Sequence, residues 1–156
     1  MSRFIQKDER AADLSEVRSD EQLDWQALET WLKTHLAEES GLNPDANMIV
    51  SQFHGGHANL TYCVRFEELE LVVRRPPKGH IAPGAHDMNR EYRVLNGLAP
   101  AYKPAPTVYA FCDDTRVIGA PFIVVERRQR VIVRAEIPAS LQAHTNVAER
   151  ISYALI

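Results

Sequence analysis

Trp25, Leu28, Trp31, Leu32, His35 and Leu36 recur at intervals of three and four, the signature of one buried helix face. Ser19 and Gln22 stand at capping-box spacing ahead of them, and Gly41 follows. Together these predict a helix from about Asp20 to Glu39. The two tryptophans read as core residues, and His35 as a packed histidine rather than a ligand. The period then changes to two. Met48 to Phe53 reads as a strand. In Asn59 to Phe66, Leu60, Tyr62, Val64 and Phe66 alternate with Asn59, Thr61, Cys63 and Arg65, so the two sets face opposite sides of a sheet. Leu69 to Arg75 repeats the pattern. Leu69, Leu71 and Val73 take one face, Val72 and Arg74 the other, and Pro76-Pro77 ends the strand.

Past the irregular loop KGHIAPGA, helical spacing returns from about His86 to Leu98, with Met88, Tyr92, Leu95 and Leu98 or Ala99 as the apolar stripe. Two strands follow, near Thr107 to Cys112 and Phe122 to Glu126, separated by a turn holding Asp113, Asp114 and Gly119. Residues 131 to 134 read as a further short strand. Asn146 and Glu149 have cap spacing, so a last helix begins near Val147. Residues 1 to 18 are charged and aperiodic and read as a flexible leader. The fold class implied is α+β, a largely antiparallel sheet of about five strands with a packed helix, preceded by an N-terminal helix.

Composition narrows the function classes more than it identifies one. At 45% apolar and 25% charged residues, the 156-residue chain is an ordinary globular sequence. A net charge of −3 provides no basic field for nucleic acid or an anionic membrane surface. No apolar run approaches the roughly 18 residues of a membrane span, and MSRFIQKDERAADLSE has no signal-peptide core. Cys63 and Cys112 are too few for a disulfide framework or a structural zinc site. They read as small apolar fillers in a reducing, cytoplasmic protein.

The informative chemistry lies around Glu91. It stands three residues after Met88 and four before Leu95, on or beside a buried stripe, where a carboxylate needs a cation or donors. Arg74, on the strand face it shares with Val72, is the nearest candidate. Between the first two strands lies Gly55-Gly56, within FHGGHANLTYCVRF. A Gly-Gly link between strands is more often a plain hairpin than a phosphate loop. Above a strand cation held by a helix carboxylate, however, such a turn lets backbone N–H groups approach a phosphate. His54, His57, His80 and His86 have no closed metal-site spacing and read as loop polarity. Asp113-Asp114 reads as a turn.

From about Met48 to Arg134 the chain resembles the N-terminal lobe of a kinase-fold phosphotransferase. It is most similar to the aminoglycoside phosphotransferase superfamily, in the branch related to the kinase-like domain of certain acyl-CoA dehydrogenases. The resemblance is carried by FHGGHANLTYCVRF, LVVRRPPKGHIAPGAHDMNREYRVLNGLAP and VIGAPFIVVER, in that order and spacing. It implies ATP as the nucleotide. Gly55, Gly56, His57, Ala58 and Asn59 would cover its phosphates, and Arg74 would stand in place of the usual phosphate-binding lysine. Glu91 would be the helix partner and Val72 the adenine contact. Glu126 and Arg127 would form the hinge, where backbone groups pair with the adenine edge. Two departures stand out. Ala58 replaces a frequent serine, and RRQRVIVR replaces a hinge-following stretch that usually contains glycine.

The same resemblance implies a second lobe with a His-Gly-Asp motif, an asparagine and a magnesium-binding aspartate. None of that signature is found in these 156 residues; His86-Asp87 is the sole His-Asp pair. The expected organisation is a leader over 1–18, a kinase-like N-lobe over 19–134, and the truncated start of a second lobe over 135–156. The helix TNVAERISYALI has no stop signal. Nucleotide is the expected ligand, with magnesium ligands in the absent lobe. Exposed apolar surface predicts self-association or a partner carrying that lobe. The competing expectations are a non-catalytic partner-binding module and a truncated relic.

Overall fold

A computed structural model describes residues 13–53, 58–79, 84–128, 141 and 145–154. Its centre is a six-stranded antiparallel sheet. In chain order the elements are β1 (Leu14–Ser15), a 3-10 turn (Ser19–Glu21), α1 (Trp25–Ser40), β2 (Met48–Phe53), β3 (Leu60–Phe66), β4 (Leu69–Arg75), α2 (Met88–Leu98), β5 (Val108–Cys112), α3 (Thr115–Ile118), β6 (Phe122–Glu126) and α4 (Val147–Ala154). The strand order β1-β2-β3-β4-β6-β5 places β4 and β6 side by side. Val72 lies opposite Val125, and Arg74 opposite Ile123.

The alternation in the sequence becomes two separate cores. On one face Leu60, Tyr62, Val64 and Phe66 of β3 and Leu71 and Val73 of β4 pack against Trp25, Leu28, Leu32 and Leu36 of α1. Trp25 meets the Tyr62 ring edge-on at 5.3 Å, and Trp31 meets Phe122 at 4.9 Å. On the other face Met88 of α2 closes over Ile123 and Val125, with Val72, Tyr92 and Leu95 around them. Both faces are covered by a helix, so the central strands carry apolar residues on both sides.

Several local expectations are corrected. α1 begins at Trp25, five residues later than predicted, because Asp24 is the cap and accepts from the Ala27 amide at 2.9 Å. Gln22 turns backward instead, donating to the Val17 and Arg18 carbonyls and accepting from the Trp25 indole. His35 is exposed and stacks on Trp31, with Nδ1 on the Trp31 carbonyl at 2.8 Å. Part of the expected flexible leader is ordered. Leu14 and Val17 are buried, and Leu14–Ser15 adds a strand to the edge of β2. α2 starts at Met88, capped by Asp87, whose Oδ1 accepts from the Arg90 amide at 3.0 Å. Leu98 and Ala99, expected on the α2 stripe, are exposed. The turn around Asp114 contains α3, capped by Asp114 and closed by Gly119 at φ 82°. Asn146 has φ 57°, so α4 does not begin with the expected extended cap residue. The strand expected at 131–134 lies outside the described residues.

Candidate functional site: the β4–α2 ion pair

β4 and α2 bring together two side chains that are seventeen positions apart in the chain. Arg74 points from β4 toward α2 because strand residues alternate, and its neighbours Val73 and Arg75 serve the other face. Glu91 lies in the first turn of α2, which Asp87 anchors. Arg74 Nη1 forms a hydrogen-bonded ion pair with Glu91 Oε1. The Arg74 side chain keeps 36% of its surface exposed and Glu91 21%. The carboxylate is thus the more enclosed partner, and the guanidinium retains a free side. Arg74 Nε is shielded and has no hydrogen-bond partner among the described residues.

Asn59, at the start of β3, and His86, just before α2, complete the cluster. The Asn59 amide suits its neighbours best with its oxygen toward Arg74 Nη2 at 3.3 Å. Its nitrogen then faces His86 Nδ1 at 2.6 Å and the Ala58 carbonyl at 3.3 Å. In the reverse orientation the nitrogen reaches Glu91 Oε2 only at 3.5 Å. Asn59, His86, Asp87, Arg90, Glu91, Val94 and Leu95 line a cavity of about 350 Å³ beside the pair. The sequence reading placed His86 among polar loop residues and missed its contact. Its left-handed φ of 55° is not encoded in any pattern of neighbours.

The remaining expected residues are placed unequally. Val72 lies on the same face as Arg74, partly buried against Met88, Ile123 and Val125. Ala58 is exposed at the mouth of β3. Gly55, Gly56 and His57 lie outside the described residues. Glu126 ends β6, and its N–H is taken by the Thr107 carbonyl at 2.8 Å. Its carboxylate accepts from the Thr107 N–H at 3.0 Å and pairs with Arg128 at 3.0 Å. Partial burial raises the Glu126 carboxyl, but these donors outweigh it and hold the group below the usual carboxylate range. The Arg127 side chain is turned away, only 5% exposed. It pairs with Asp13 at 3.0 Å and Glu70 at 2.9 Å and lies over the Phe53 ring. This edge of the sheet therefore presents the Arg127 backbone rather than its guanidinium.

An antiparallel sheet in which a strand cation is paired to a helix carboxylate is the arrangement of a kinase-like lobe. Residues 49–156 match the model of the phosphotransferase enzyme family, and the chain belongs to that family. In solved structures it is similar to a Ralstonia eutropha JMP134 protein provisionally named an aminoglycoside phosphotransferase. The TM-score is 0.59 at 30% identity, over 76% of this chain and 32% of that one. Among curated proteins it is 40% identical over 100 residues to mouse acyl-CoA dehydrogenase family member 10, covering 64% of this chain and 9% of that protein. It is 33% identical over 123 residues to human acyl-CoA dehydrogenase family member 11, covering 79% and 16%. The chain thus spans less than a fifth of the length of these two relatives. No helix among the described residues is long and apolar enough to cross a membrane.

Proposed function

We propose that this chain is the ATP-binding lobe of a small-molecule phosphotransferase. The observation that carries the reading is the Arg74–Glu91 pair, bridging β4 and α2 with the guanidinium partly open to solvent. Arg74 would donate to the nucleotide phosphates, and Glu91 would fix its orientation. Backbone N–H groups of Gly55, Gly56, His57, Ala58 and Asn59 would cover the phosphates. Adenine would lie against Val72. Because the Glu126 N–H is already taken, the adenine edge would use the Glu126 carbonyl and the backbone at Arg127.

The intact reaction in this reading moves the γ-phosphoryl group of Mg·ATP to a substrate hydroxyl. Among the described residues no group of three or more His, Cys, Asp or Glu side chains could hold a metal ion. The 156 residues contain no His-Gly-Asp. In this reading the base and the metal ligands belong to a second lobe, as the family resemblance implies, and this chain alone would bind nucleotide without transferring phosphate. The buried thiols of Cys63 and Cys112 accord with a reducing, cytoplasmic setting.

The test is calorimetric titration of the purified chain with Mg·ATP. Saturable micromolar binding, lost in Arg74→Ala, supports the assignment. No binding by the wild type, or equal binding by the variant, sinks it. A second reading, a module that binds a partner chain, draws on the exposure of Val94, Leu98 and Tyr102 at and beyond the end of α2. A stable stoichiometric partner together with indifference to nucleotide would favour it.

A further inference from the structure

On the face of β4 opposite Arg74 lies a second arginine with a different environment. Arg75 is only 5% exposed. Its Nε donates to the Pro76 carbonyl at 3.0 Å and its Nη1 to the Ile118 carbonyl at 2.6 Å. Among the described residues no carboxylate pairs with it, and Nη2 has no hydrogen-bond partner. A buried guanidinium met only by neutral oxygens is an uncompensated charge. Burial pushes its pKa down from the ordinary arginine value.

Arg75 lines a groove of about 630 Å³, formed by the residues before α1, the turn after β4, and α3 with Gly119. That size suits a small-molecule ligand. Lys78 stands at the rim, its ammonium bound to the Asp20 and Gln22 carbonyls at 2.7 and 2.9 Å. These are again neutral acceptors, and among the described residues they leave one N–H unused. Arg116 also lines the groove but is committed to Asp114 by a bidentate pair, which holds that carboxyl down to about 2. Among the described residues the one carboxylate in the lining is Asp24, which caps α1. Among the described residues, two cations without anionic partners thus share the groove with one acid.

We infer that this groove is a binding site for a small ligand bearing a phosphate or carboxylate group. Arg75 is its anchoring cation and Lys78 its second donor, and the site is separate from the β4–α2 site. The guanidinium is pre-positioned by two carbonyls, so little rotamer freedom is lost when an oxyanion completes its set of acceptors. Gly119 lines the groove beside Arg75 and is held at φ 82° where α3 ends.

The probes are inorganic phosphate and citrate, titrated into the ¹⁵N-labelled chain at constant ionic strength with chloride as control. Saturable shifts confined to the Gly79 and Gly119 amides and the Trp25 indole are expected. The indole reports because it donates to Gln22 in the groove lining. A response to phosphate alone identifies a phosphate ligand, and a response to citrate alone a carboxylate ligand; either supports the site. Lys78→Gln is expected to weaken binding about tenfold, the worth of one hydrogen bond to a charged group. Asp24→Asn keeps a good cap while removing the repelling charge. It is expected to tighten binding, a gain that a misfolded variant cannot mimic. Shifts no larger than those in chloride, or affinities unchanged in both variants, would overturn the inference.

Discussion

Arg74 and Arg75 are neighbours on β4, yet they serve opposite faces of the sheet. Arg74 pairs with Glu91 of α2 and stays 36% exposed. Arg75 is buried and donates to the carbonyl at the end of α3. The strand's alternation makes this division unavoidable. It separates a cation positioned by a carboxylate from one positioned by carbonyls.

The first prediction concerns that positioned cation. Arg74→Lys should bind Mg·ATP with an affinity between those of the wild type and Arg74→Ala, since the charge survives and the planar fork does not. Glu91→Ala should weaken binding less than Arg74→Ala, because the guanidinium remains but is no longer oriented. Calorimetry on the three variants checks the order. Equal affinities throughout would remove Arg74 from the site.

The cap that begins α2 makes a stability prediction. Asp87→Ala removes the acceptor for the Arg90 amide and should cost about 1 kcal/mol. Asp87→Asn should restore most of it. Urea denaturation followed by circular dichroism measures both. An unchanged midpoint for the alanine variant would mean that the cap contributes nothing.

The core under α1 predicts a larger loss. Leu32 is fully buried, and Leu32→Ala should destabilise the fold by ~2–5 kcal/mol through lost transfer energy and a residual cavity. A fall in the urea midpoint without a change in slope is the expected signature.

Glu126 provides a pH dependence. Its folded pKa lies below the ordinary carboxylate value, so the unfolded chain binds the proton more tightly. The contribution is present above the ordinary carboxylate range and is lost as pH falls through the folded pKa. Glu126→Gln should therefore be less stable than the wild type near neutrality, and the gap should close in acid. Melting both proteins across pH tests the sign. A gap that widened on acidification would contradict it.

Surface at the end of α2 makes the last prediction. Val94, Leu98 and Tyr102 are exposed at 55%, 42% and 48%, enough to favour association when neighbouring. Sedimentation of the chain should show concentration-dependent self-association, reduced by Leu98→Glu. A monodisperse monomer at high concentration would count against it.

Much of the sheet was legible because its information is local. The strand run Met48–Phe53, the period-two run Leu69–Arg75 and the apolar run Phe122–Glu126 are short and bounded by polar, charged or Pro residues, and these strands occur at the predicted limits. The Arg74–Glu91 pair was legible for a related reason. A carboxylate beside a buried stripe demands a cation, and a strand face offered one. The 3-10 turn and the late start of α1 were not legible. The capping-box spacing of Ser19 and Gln22 competes with Asp24, and the segment between them is also held from 41 residues away by the Tyr62 hydroxyl, which donates to the Glu21 carbonyl at 2.8 Å.

What the amino-acid order determined by itself is the alternation of faces, the helix stripes, and the need for a cation near Glu91. Each follows from the geometry of a single strand or helix. The tertiary structure decided what no single element contains. It added Leu14–Ser15 to the sheet edge and withdrew the Arg127 side chain to Asp13 and Glu70. It also set His86 against Asn59 and left Arg75 buried without a carboxylate among the described residues. These outcomes depend on contacts between distant segments, where burial and charge pairing are settled only once the sheet has assembled.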